Sequence, residues 1–189
     1  ATGELVMAHN DQNRLVFHAT DVPSLGYKTY TVVEAAGQST SDLSVDRNQA
    51  IIENPYFRLR INPANGALLS AWDKKRQREM VQADSEYGFG EYIHELYGKD
   101  EADRYNATYV KEGHHGWADP EMVRPASPAF SYQQIRGIVS HISYDETPVS
   151  VTATAFCRTA DGEDSLLMYT LYRDSPYVEM TWSTTNKRA

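Results

Sequence analysis

The sequence predicts an all-β protein of antiparallel strands layered as a β-sandwich. Three observations lead there. Residues 54 to 79 hold two apolar runs flanked by charge and folded about Asn65-Gly66. The stretch 149 to 157 alternates small apolar residues with Ser and Thr. Turn signals then recur between strand-like segments from residue 145 to residue 176.

Residues 4 to 8 and 14 to 19 read as strands around the polar turn "HNDQN", and residues 27 to 34, rich in aromatic and β-branched side chains, read as another. "AGQSTSD" breaks that pattern, and a boundary is expected near residue 47, separating residues 1–47, the end of a small β-domain, from residues 48–189. In the hairpin that follows, Phe57, Leu59 and Ile61 fall on one face and Tyr56, Arg58 and Arg60 on the other, so one face is buried and one is wet. Asn65-Gly66 supplies the positive backbone dihedrals of the reversal, and Leu68, Leu69 and Trp72 give the return strand its apolar content. Residues 98 to 129 combine charge, Gly and Pro without sustained periodicity, which reads as a long loop crossing the surface.

Beyond residue 128, "IRGIVSHISY", "PVSVTATAFCR", "SLLMYTLYR" and "YVEMTWST" read as four strands of a meander. Asp145 to Thr147, Asp161-Gly162 and Asp174 to Pro176 separate them. Val149, Val151, Ala153, Ala155 and Cys157 share a face. In the last strand Val178, Met180 and Trp182 do the same, which makes Trp182 a core residue by expectation.

Composition narrows the function classes. A formal net charge of -8 over 189 residues, with no basic stripe, disfavours nucleic acid and anionic membrane as partners. The longest apolar runs fall far short of the roughly 20 residues that span a bilayer, so the chain reads as soluble. Its compartment is open, a bacterial cytoplasm being one candidate. A lone Cys157 forms no internal disulfide or cysteine-rich metal cluster and reads as a small strand residue.

Chemistry is sparse. No G-x-S-x-G elbow, P-loop or dinucleotide fingerprint occurs. Asp100-Glu101 and Glu163-Asp164 read as acid pairs on solvated turns among 26 acidic residues, and the adjacent His114-His115 point to opposite faces of an extended chain. No metal site or cofactor is therefore assigned to this chain. The segment with most chemical potential is "FGEYIHELY", where Tyr92, His94 and Leu96 alternate with Glu91, Ile93, Glu95 and Tyr97. That alternation sets a phenol and an imidazole side by side on one face, within reach of a polar ligand.

Two segments together resemble a family. "DVPSLGYKTYTVVE", with Asp21, Pro23, Gly26, Tyr27 and Tyr30, is followed by "IENPYFRLRINPANGALLSAWDKKRQRE", with Glu53, Asn54, Phe57, Leu59, Ile61, Gly66, Leu69, Trp72, Asp73 and Lys74. Their order and spacing resemble the β-rich C-terminal region of glycoside hydrolase family 38 α-mannosidases and their bacterial relatives. "SPYVEMTWSTTNK" is similar to a later strand of the same region. The resemblance implies that residues 48–189 form the first portion of a large galactose-mutarotase-like sandwich. It also implies a zinc ion and a nucleophilic Asp on a catalytic barrel outside these residues. The implied partners are a mannoside-like carbohydrate and the remaining domains of the same polypeptide. Gly90-Glu91-Tyr92 matches the Gly-x-Tyr stretch that brings a Tyr toward the sugar, which implies Tyr92, with His94 beside it, as substrate-binding residues. Two other readings stand beside this one. One is a stand-alone carbohydrate-binding module using Tyr97, Tyr105, Tyr109 and Trp117 as an aromatic platform; the other is a structural or oligomer-forming sandwich.

Overall fold

The computed structural model describes residues 5–34, 42–82, 84–109 and 131–185. Among them the chain is mostly antiparallel β-sheet with one short helix. β1 (Ala8–Asp11) and β2 (Arg14–Phe17) form a hairpin. β3 (Ser44–Asp46), β4 (Ile51–Glu53), β5 (Phe57–Ile61), β6 (Leu68–Asp73) and β7 (Arg78–Glu79) form a five-stranded sheet in chain order. β8 (Ile93–Leu96) precedes helix α1 (Lys99–Tyr109) and pairs with β9 (Gln133–Arg136). β10 (Ile138–Glu146), β11 (Ser150–Arg158), β12 (Asp164–Tyr172) and β13 (Val178–Thr185) make the expected four-stranded meander.

The larger sheets share one core. Leu43, Ala50, Ile52, Leu59, Ile61, Leu68 and Ala71 from the first meet Val151, Ala153, Ala155, Cys157, Leu167, Tyr169 and Leu171 from the second. The period-2 patterns account for this directly: Leu59 and Ile61 are buried while Arg58 and Arg60 are exposed, and alternate residues of β11 and β12 are buried along their whole length. Leu43 and β3 precede the expected boundary at residue 47, yet belong to this core and this sheet.

Asn54 ties the sheets together where β4 turns into β5. Its side chain is wholly buried. Oδ1 accepts the amides of Tyr56 (2.9 Å) and Phe57 (2.6 Å), and Nδ2 donates to the carbonyl of Tyr172 (2.7 Å) at the end of β12. One amide thus satisfies the β4–β5 turn and the opposite sheet together.

Several expectations need correction. Residues 27 to 34 form no strand; Lys28 and Tyr30 instead donate to the carbonyl of Thr20. The segment joins no sheet among the described residues, and Tyr30 packs edge-on against Phe17 of β2 with ring centroids 4.9 Å apart. The first strand starts at Ala8, and its reversal is the two-residue turn Gln12-Asn13, both with positive φ (46° and 69°). The expected loop from residue 98 opens as helix α1. Glu101 accepts the Gly98 amide at 3.0 Å, Asp100 and Glu101 occupy the first turn, and Lys99 pairs with Asp103. Residues 110–129 of that loop lie outside the described residues. Trp182 faces inward opposite Leu167, but β13 is an edge strand and the indole remains 49% exposed. No helix among the described residues is long and apolar enough to cross a membrane.

Replacing Asn54 with Ala would leave buried amides and a carbonyl unmatched. Asn54→Ala is expected to cost roughly 2 to 4 kcal/mol in urea melts. A loss below about 0.5 kcal/mol, the ordinary range for a surface change, would contradict the bridging role.

Candidate functional site

The stretch Gly88 to Tyr92 is pinned from several sides. Leu68 of β6 donates its amide to the Phe89 carbonyl (2.9 Å), the Trp182 indole donates to the Gly90 carbonyl (3.1 Å), and Gly137 donates to the Tyr92 carbonyl (3.1 Å). The Glu91 carboxylate accepts the Gly88 amide (2.8 Å) and pairs with Arg136 (3.2 Å). Gly90 has φ +82°, and a Cβ there would lie 2.8 Å from the Tyr169 hydroxyl. That hydroxyl donates to the Gly66 carbonyl at 2.8 Å. Gly66 has φ +76°, and its Cβ would fall 2.8 Å from Leu167 Cδ1. Both glycines therefore combine a left-handed conformation with a close approach that no side chain permits.

Held in this way, Tyr92, just before β8, and His94 within it reach the turn between β11 and β12, on one face as their alternation predicts. The Tyr92 hydroxyl donates to Glu163 Oε2 at 2.6 Å. His94 Nδ1 lies 2.8 Å from Asp161 Oδ2 and 3.4 Å from Glu163 Oε2. The turn is built to present these acids: Thr159 and Glu163 exchange backbone and hydroxyl hydrogen bonds, the Gly162 amide donates to the Thr159 carbonyl, and Gly162 has φ +92°. Glu163 is 1% exposed.

The electrostatics follow from this burial. Desolvation, then the hydrogen bond to Glu163 and the charges of Glu163 and Asp161, push the Tyr92 phenol up to about 12, so it remains a donor throughout the physiological range. Asp161 moves the other way. Thr159 is the largest influence holding its carboxyl below the usual range, desolvation opposes, and its own backbone amide and His94 add to the lowering. The Thr159 hydroxyl also reaches the Glu163 carbonyl at 3.3 Å, and one proton serves one acceptor at a time. Asp161 Oδ1 and Glu163 Oε1 are both buried without a hydrogen-bond partner among the described residues.

Both sequence-predicted site residues thus enter one cluster. Their polar groups are engaged by carboxylates that the sequence reading passed over, one as a hairpin signal and one as half of a solvated acid pair. Asp164 does fit that reading, pairing with the exposed Arg158, whereas Glu163 turns inward. Tyr97 and Tyr105 are half exposed, and Tyr97 stands beside Tyr132 at 5.6 Å with the rings 47° apart. The side chain of Tyr109, with Trp117 and His114-His115, lies outside the described residues. Among the described residues no group of three or more His, Cys, Asp or Glu is arranged to hold a metal ion. A cleft of about 700 Å³ opens elsewhere, beside Arg47, Arg60, His141 and Tyr144, and contains none of the four cluster residues. Its Arg47 is already paired with Glu146.

No family model, curated protein or solved structure matches the chain.

The lowered Asp161 has a pH signature. Its stabilising contribution is complete above the ordinary aspartate value of 3.8 and is lost as pH falls through the depressed native value. The stability gap between wild type and Asp161→Asn, read from urea midpoints, is expected to shrink as pH falls from about 5 to about 3. A gap that widens with acid would contradict the assignment.

Proposed function

We propose that this chain is a non-catalytic β-sandwich region of an α-mannosidase-like glycoside hydrolase. It supports and partly walls a sugar site whose catalytic groups sit on a barrel outside these residues. The observation that carries the reading is the meeting of Tyr92 and His94 with Glu163 and Asp161, at the Gly90-Glu91-Tyr92 stretch that resembles a sugar-facing segment of family 38 enzymes. The part-exposed His94 and Asp161 give this site a polar surface of the kind that the hydroxyls of a carbohydrate meet. The two sheets sharing a core fit a sandwich of galactose-mutarotase-like type.

In this reading the chemistry belongs to the barrel, where zinc would orient sugar hydroxyls and a carboxylate would act as nucleophile. The chain described here supplies geometry. Tyr92 and Glu163 brace the wall from within, and His94 and Asp161 form its more accessible part, with side chains 14% and 25% exposed. The stand-alone module reading rests on Tyr97 and Tyr105, which are half exposed, together with Tyr109 and Trp117, whose side chains lie outside the described residues.

Two assays test the proposal. The chain alone is expected to hydrolyse no chromogenic α-mannoside, with or without added zinc; turnover in a preparation free of other glycosidases would overturn it. In the polypeptide that also carries the barrel, Tyr92→Phe, corrected for folded fraction, is expected to lower kcat/KM roughly ten- to a hundred-fold. Full activity there would return Tyr92 to a purely structural role.

A further inference from the structure

The two ring nitrogens of His94 are not equivalent. Asp161 Oδ2 and Glu163 Oε2 both face Nδ1, at 2.8 and 3.4 Å. The nearer Asp161 carboxylate only accepts hydrogen bonds, so Nδ1 carries a hydrogen and is committed to the protein. Nε2 has no hydrogen-bond partner among the described residues, and it is not among the sealed, unpartnered polar atoms of the molecule. The imidazole keeps some of its surface in solvent.

Its three neighbours are disposed differently. The Tyr92 hydroxyl is spent on Glu163. Asp161 Oδ1 and Glu163 Oε1 are sealed within the cluster, where an incoming ligand meets neither without rearrangement. Asp161 Oδ2, on the more exposed of the two side chains, is engaged by Nδ1, which leaves Nε2 as the cluster's nitrogen without a partner among the described residues.

We infer that His94 is the residue through which this chain touches a sugar, by a hydrogen bond between Nε2 and a ring hydroxyl, with Asp161 as a positioning residue that locks the imidazole from behind. The inference rests on the sugar-site reading above and sharpens it. Tyr92 then acts indirectly, by holding Glu163 beneath the ring. A carboxylate on one imidazole nitrogen that orients the other toward a ligand is a general device for fixing tautomer and direction.

Amide substitutions separate the two nitrogens. In the polypeptide that carries the barrel, assayed on an α-mannoside, His94→Asn retains an N–H near the Nδ1 position for Asp161 but places nothing at Nε2. It is expected to keep a near-wild-type unfolding midpoint while losing about ten-fold or more in kcat/KM. Asp161→Ala is expected to lose about three- to ten-fold and Asp161→Asn, which keeps an acceptor for Nδ1–H, to recover most of it. Full activity in His94→Asn overturns the inference, because the link to Asp161 alone would then suffice. If Tyr92→Phe is impaired while His94→Asn is not, the sugar site stands and its contact residue is wrongly assigned. If Tyr92→Phe and His94→Asn are both fully active, the sugar site falls and this inference falls with it.

Discussion

A carboxyl group buried to 1% exposure cannot be left without donors, and Glu163 is such a group. Its Oε2 receives the Tyr92 hydroxyl and lies within reach of His94, both delivered by the β8 segment from about seventy residues earlier in the chain. That demand ties the β8 segment to the four-stranded sheet, alongside the Trp182 bond to the Gly90 carbonyl and the pairing with β9. If the β8 segment moved away, Glu163 would lose its donor in a low-dielectric setting, at a cost of several kcal/mol.

The surroundings reinforce the same geometry. Tyr169 stands between two glycines, donating to the carbonyl of one and leaving room beside its hydroxyl only for the bare Cα of the other. Through Gly66 it ties β12 to the β5–β6 hairpin, and through Gly90 it sets the approach of the segment that carries Tyr92. The hairpin at Asn65-Gly66 is therefore more than a reversal. It is one of the surfaces against which the candidate site is levelled, and Asn54 at the other end of β5 fastens the same two sheets.

Much of this was legible in the sequence wherever period 2 governs. Phe57 to Ile61, Val149 to Cys157 and the meander turns follow from alternation and turn chemistry, and the shared face of Tyr92 and His94 follows from the same rule. Alternation gives the face of a residue and not its depth, which is why Trp182 points inward yet remains half exposed on an edge strand. Residues 27 to 34 had the composition of a strand without a partner, and α1 is held by end charges and an i,i+4 pair without the apolar stripe that periodicity detects. Asp161 and Glu163 were opaque for a different reason. Acidic residues beside Gly are ordinary turn chemistry, and what distinguishes these two is a pairing 67 and 71 residues away along the chain.

The most direct test of the account is a double-mutant cycle joining Tyr92→Phe and Glu163→Met, the latter keeping side-chain length but no oxygen to accept the hydroxyl, read from urea unfolding of the single and double variants. If the Tyr92 hydroxyl is what satisfies Glu163, the two losses should be coupled by about 1.5 kcal/mol or more. Losses that add to within about 0.5 kcal/mol would mean that the two side chains are independent, and that something other than their bond holds β8 in place.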